Sequence, residues 1–247
     1  MISFILAGLV GLSLGLLGGG GSILAVPILV YVSNIDPKVA VAMSLGIVGI
    51  ATLFGTIGHY RAGNIKFKTA LLFGGPAIPA TFLGSFLAQF VSGPIQLSIF
   101  SIIMILAAIF MFKGRKETDI KTNSPLVLPT VLSGIFVGIL TGLIGVGGGF
   151  LIVPALMYFT GTEMKNSVGT SLFIISLNSF FGFYSYLNKV EIPWAFMGKF
   201  TVFTIIGIII GSQLVPFVPQ KILRKSFAIF LVVMGVFILA KNLGHLI

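Results

Sequence analysis

The chain has 247 residues, of which 57% are hydrophobic and 8% charged, with a formal net charge of +10. A soluble domain carries about a quarter charged residues, so this composition excludes an ordinary water-soluble globule and predicts an all-α polytopic protein embedded in a lipid bilayer. The absence of cysteine excludes disulfides, thiolate metal sites and a cysteine nucleophile, and two histidines with five acids leave little material for hydrolysis or for holding a cofactor.

The first apolar segment, 3–32, follows Met1 without a basic n-region and reads as part of the structure, not as a removed signal peptide. It is interrupted by Gly18, Gly19, Gly20 and Gly21, a run that no stable helix favours, since each glycine costs roughly 1 kcal/mol relative to alanine. Three long helices are predicted next, at 39–58, 68–90 and 95–112. The charged stretch 113–125 then divides a first unit, 1–112, from a second, 126–247. The second unit repeats the pattern, with a broken segment at 126–159 and helices at 165–187, 194–215 and 222–243. Its break contains Gly145, Gly147, Gly148 and Gly149.

Sliding the sequence by 127 residues lays one unit on the other without a gap. Gly15, Gly18, Gly20, Gly21, Pro27 and Tyr31 then meet Gly142, Gly145, Gly147, Gly148, Pro154 and Tyr158, and Ser44 meets Ser171. The chain reads as an internal duplication. If each broken segment spans the bilayer, the copies are parallel; if it dips in and returns, they are inverted. Residues 3–17 and 22–32 give about 22 Å and 16 Å of helix, close to half a bilayer each, which favours dipping in. Basic residues split ten to five between the faces in the parallel arrangement and eleven to four in the inverted one. The larger split favours inversion, which places both chain ends outside.

Unpaired backbone groups inside hydrocarbon are tolerated only where protein or a wet cavity surrounds them. The two glycine runs should therefore line a cavity. Each is followed by a short helix, starting near Ser22 or Phe150, whose first N–H groups have no helical partner and carry the positive end of the dipole. Two such termini aimed inward form an anion site without a charged side chain. Ser44, Thr141, Thr170, Ser171 and Asn178 could complete the coordination of an oxyanion, Ser171 and Asn178 sharing one helix face. For the hydroxyls, bonding back to the preceding turn is the plainer reading. At Gly11 and Gly15 the spacing suggests tight helix packing.

No carboxylate falls within a predicted span, so the Asp/Glu relay of many coupled transporters is missing. His59 is expected at the headgroup level, and Tyr31, Tyr158 and Trp194 in the interfacial belt. Basic residues spread over short loops, not along one stripe, argue against nucleic acid as a partner.

The paired stretches "GLLGGGGSILAVPIL" and "TGLIGVGGGFLIVPALMY", each followed by an "AMSLGI" or "VGTSLFI" helix, resemble the TauE/SafE family of membrane permeases over essentially the whole chain. The resemblance implies a multi-pass permease of the cell (inner) membrane for sulfur-containing anions such as sulfite or sulfoacetate, usually outward. It also places the substrate path at the glycine breaks and the Ser44 and Ser171 helices. One departure is Phe150 in the second copy, close to where Ser22 stands in the first. The expected function is a non-enzymatic secondary transporter that exports a small oxyanion by alternating access, with the anion bound near mid-membrane. An importer or channel is the alternative. An intramembrane serine protease would need Ser22 and His59 to face each other. The sequence leaves homo-oligomerisation open.

Overall fold

The computed structural model describes residues 2–113, 127–144 and 149–243. Helix α1 (Ile2–Leu17) leads into a 3-10 turn (Gly18–Gly21), a short α2 (Ser22–Pro27) and a π-helical turn (Ile28–Val32). Three long helices follow: α3 (Pro37–Arg61), α4 (Phe67–Leu87) and α5 (Gly93–Lys113). Then come α6 (Val127–Ile144), the shorter α7 (Gly149–Thr160), α8 (Met164–Tyr186), α9 (Trp194–Leu214) and α10 (Gln220–Leu243). Eight helical stretches are long and apolar enough to cross a membrane, with Ile2–Val32 taken as one of them. This is a multi-pass membrane protein.

Local chemistry sets several of these boundaries. The Asp36 carboxylate accepts a hydrogen bond from the Lys38 N–H at 2.9 Å, and Pro37 occupies the first helical position, a strong start signal for α3. Pro27 and Pro154 lie inside α2 and α7, where each removes one backbone donor from the ladder. After Pro27 the chain widens into the π-helical turn, the form in which such an interruption is commonly absorbed.

The first apolar stretch doubles back. Gly18 has φ +66°, a left-handed conformation that glycine adopts without strain. Beyond it the chain returns along α1, so closely that a Cβ on Gly21 would lie 2.3 Å from the Leu14 nitrogen. The Ser33 hydroxyl reaches the Ser3 hydroxyl at 3.2 Å, which brings both ends of the stretch to one end of the molecule. In the other half, α6 runs beside α4 toward the α4–α5 turn, where Gln96 Nε2 donates to the Leu143 carbonyl at 2.9 Å. Helix α7 leads away from that turn along α5, with Phe150 against Phe100 (5.3 Å between ring centroids) and Tyr158 against Phe110 (5.8 Å).

The principal helix pairs each join one helix from before residue 113 with one from after residue 127: α1 with α9, α4 with α6, α3 with α8, and α5 with α10. The helices before and after residues 114–126 are therefore interlocked. A Cβ on Gly11 would lie 2.0 Å from the Thr204 carbonyl oxygen, and one on Gly138 would lie 2.4 Å from that of Ala77. Gly15 meets Ile208 and Ser212 as Gly142 meets Thr81 and Ser85. Each contact becomes the other when both partners move by 127 residues. Small residues at these crossings let backbones approach closely, the main source of helix association in lipid. Gly11 and Gly15 thus pack as their spacing predicts.

Large apolar side chains such as Leu71, Phe90 and Phe217 cover the outside, whereas Ser, Thr, His59 and Asn178 are buried within. A core more polar than its surface suits a solvent of lipid. Two ends of the bundle can be told apart. Ser3, Ser33, Lys38, Gln89 and Lys189 gather at the first. At the second, the Lys66 N–H donates to Thr170 Oγ1 at 3.0 Å and Lys165 Nζ donates to the Pro216 carbonyl at 2.9 Å.

Candidate functional site

All four glycines of the first break are buried. A Cβ on Gly18 would lie 2.7 Å from Ser171 Oγ, and one on Gly19 would fall 1.6 Å from the carbonyl carbon and oxygen of Gly149. The two breaks therefore touch, backbone to backbone. Helix α8 passes both of them, with Ser171 at Gly18 and Ile175 at Gly149. One turn further on the same face is Asn178, fully buried, with neither its Oδ1 nor its Nδ2 in a hydrogen bond. Its neighbour Ser179 also has an unpartnered hydroxyl. Leaving a buried polar group unmatched costs about 1–3 kcal/mol, which sets Asn178 and Ser179 apart from the hydrogen-bonded serines and threonines.

The other expected residues are placed as follows. Gly20 lies against the Phe227 ring, and Gly21 against α1. Ser22 donates to the Gly19 carbonyl at 2.6 Å, Ser44 to Val41 at 2.9 Å, Thr141 to Val137 at 2.7 Å and Ser171 to Val168 at 2.8 Å. These four hydroxyl hydrogens are spent on nearby carbonyls, the plainer reading of such residues. Thr170 Oγ1 accepts the Lys66 N–H. Gly145, Gly147 and Gly148 lie outside the described residues.

Depth differs from the half-bilayer expectation. Helix α1 follows α9 as far as Ser212, close to the last residue of α9, Leu214. Gly18 sits beside Val168, in the second turn of α8. The first break thus lies toward the second end of the bundle, because α1 is held by close glycine contacts along almost all of its partner.

His59 is also placed differently. It is 1% exposed, and its Nε2 lies 3.4 Å from the Gly15 carbonyl oxygen, one of the last carbonyls of α1. These carbonyls have no partner within the helix, and the imidazole supplies one. In the other half the Tyr186 hydroxyl donates to the Gly142 carbonyl at 3.3 Å. Both residues in this contact are displaced by 127 positions from His59 and Gly15. Tyr186 was not singled out from sequence, because a tyrosine aligned with a histidine gives no identity; a polar aromatic at both positions was the available signal. Gln96, the partner of the Leu143 carbonyl, was missed too, although it is an isolated amide in the apolar run "PIQLSIF". Ser22 and His59 bond to separate backbone carbonyls and not to each other. Tyr31 buries its hydroxyl without a partner, unlike a belt residue, whereas Trp194 is exposed at the start of α9.

The described carboxylates, Asp36, Glu163 and Glu191, all lie outside the spanning helices, and Glu163 accepts from Gln220 Nε2 at 3.0 Å. A bundle of spanning helices around the Gly18–Gly21 turn, which meets the start of α7 at Gly149, with no described carboxylate inside it, defines a polytopic membrane protein. The model of the family described as sulfite exporter TauE/SafE matches residues 3–238. The chain belongs to the TauE/SafE family of membrane transporters. A "Probable membrane transporter protein" of Xylella fastidiosa (strain Temecula1 / ATCC 700964) is 30% identical over 247 residues, covering 97% of this chain and 95% of its own length. "Probable membrane transporter protein YdhB" of Bacillus subtilis (strain 168) is 26% identical over 245 residues, covering 97% and 100%. A "Probable membrane transporter protein MJ0441" of Methanocaldococcus jannaschii is 31% identical over 256 residues, covering 94% and 93%.

Proposed function

We propose that this transporter exports a small sulfur-containing oxyanion, sulfite or an organosulfonate such as sulfoacetate, by alternating access. The anion sits where the two glycine breaks meet. The observation that carries this reading is the contact of Gly19 with Gly149, with the unpartnered amide of Asn178 one turn along α8 from Ile175, which packs on Gly149. Backbone N–H groups at Gly18–Gly20 and at the start of α7 supply donors without a fixed positive charge, whereas the Ser22 N–H is already bonded to the Gly19 and Gly20 carbonyls. The Asn178 amide adds two more. Gly18, Gly19, Gly20, Gly21 and Gly149 form the wall in this reading, with Ser22, Ser44, Thr141, Thr170 and Ser171 around it. Their hydroxyls turn from backbone carbonyls to donate to the anion only as it arrives.

The two units act as inverted repeats, each a re-entrant hairpin followed by three crossings. The recurrence of the same glycine contacts at a spacing of 127 residues supports this, as does the return of Ser33 to Ser3. Among the described basic residues Lys38, Lys189, Lys199 and Lys241 belong to the first end and Arg61, Lys66, Lys68, Lys165, Lys221, Arg224 and Lys225 to the second. The second end is then cytoplasmic, in a cell (inner) membrane. No catalytic step is assigned.

Proteoliposomes loaded with radiolabelled sulfite test the reading. Protein-dependent efflux that saturates with sulfite, competed by sulfoacetate or methanesulfonate, is the expected result. Efflux no faster than from empty liposomes for sulfite and both sulfonates would overturn it.

A further inference from the structure

A cavity of about 290 Å³ opens at the first end, lined by Lys38, Gln89, Gln96, Tyr186, Lys189 and Val190 among others. Its composition changes with depth. The exposed lysines, Lys38 from the start of α3 and Lys189 from beyond the end of α8, lie at the mouth. Inside are two buried polar residues, Gln96 and Tyr186, which hold the Leu143 and Gly142 carbonyls just before the second glycine break. The cavity therefore leads from the surface to the threshold of that break. Among the described residues neither lysine ammonium is tied to a carboxylate. Asp36 engages the Lys38 backbone N–H, and neither it nor Glu191 lines the cavity. Lys189 instead lies 6.0 Å from the Tyr186 ring centroid.

The corresponding positions at the second end have a different chemistry. Displaced by 127 residues, Gln96 becomes Leu223, 2% exposed, and Lys189 becomes Ala62. Lys38 becomes Lys165, whose ammonium donates to the Pro216 carbonyl. At these matched positions, lysine charge not tied to a backbone carbonyl and an amide-lined interior occur together at the first end and not at the second.

We propose that this cavity is an anion vestibule, a binding site for a small sulfonate or similar oxyanion outside the glycine breaks. Lys38 and Lys189 concentrate the anion, and Gln96 and Tyr186 form the floor across which it passes to or from the second break. The proposal rests on the anion cargo proposed above. Two ammonium groups around a cleft walled by protein raise the local concentration of an anion relative to that of a cation by about tenfold.

The chain has no cysteine, so Val190→Cys places a unique thiol in the cavity wall. Its labelling rates with a sulfonate-bearing and a trimethylammonium-bearing methanethiosulfonate reagent are compared, each normalised to a free thiol, with Ser92→Cys as a control in the exposed α4–α5 turn. The vestibule gives a preference of about tenfold for the anionic reagent at position 190 and little at position 92. Lys38→Gln with Lys189→Gln removes the preference, Lys38→Arg with Lys189→Arg keeps it, and methanesulfonate slows the labelling. A thiol at position 190 that does not react, shows no anionic preference, or keeps its preference in the double glutamine variant would overturn the vestibule. Labelling as expected, in a protein that moves neither sulfite nor sulfonate, would overturn the cargo assignment and leave the vestibule standing.

Discussion

Gly19→Ala should abolish transport, with sulfite efflux from proteoliposomes falling at least about tenfold and the protein losing about 1–3 kcal/mol of stability. A single methyl group at this position would lie 1.6 Å from the Gly149 carbonyl, and the obstacle is backbone, not the movable tip of a side chain. The two breaks would have to part, and their donors would no longer face one site. Gly75→Ala in α4 is the matched control, because a Cβ there meets nothing within 4 Å. That change should leave flux intact and stabilise the helix by up to about 1 kcal/mol. Equal behaviour of the two variants in flux and thermal unfolding would contradict the proposed role of the contact.

Asn178→Leu should have two opposite effects. Without an anion the variant should be more stable than the parent, by about 1–3 kcal/mol, since it replaces a buried amide that lacks partners with an apolar group of similar size. With sulfite present the parent should gain thermal stability through binding, and the variant should not. A merely structural asparagine would behave differently: its loss would lower the melting temperature and leave the anion-dependent rise unchanged. The crossing of the two melting curves as sulfite is added therefore separates the roles.

Much of the architecture was legible because membrane physics writes it coarsely. Long apolar runs and four adjacent glycines mark where helices form and where one breaks, and α1 ends at Leu17 just ahead of the run, whereas α7 continues through Pro154. The contact at the centre was not legible. Gly19 touches Gly149, but the repeat aligns Gly19 with Val146, so no alignment of the halves pairs those two residues. Nor does sequence say which hydroxyls are already engaged. Ser22, Ser44, Thr141 and Ser171 all donate to carbonyls three or four residues back, a choice set by rotamer and packing. His59 was misplaced for a related reason. A histidine two residues before a terminal arginine resembles an interfacial side chain, and only the close approach of α1 brings the Gly15 carbonyl to it. Gln96 and Tyr186 show the same limit, since their partners lie 47 and 44 residues away.

The most direct measurement of where the cargo sits uses selenite, the selenium counterpart of sulfite, and anomalous X-ray diffraction from crystals grown with it. The account expects a selenium peak within hydrogen-bonding distance of Asn178 and of the backbone at Gly18–Gly20 or Gly149. Ordered selenite elsewhere in the bundle, with Gly19 still closed against Gly149 and Asn178 still without a partner, would contradict it.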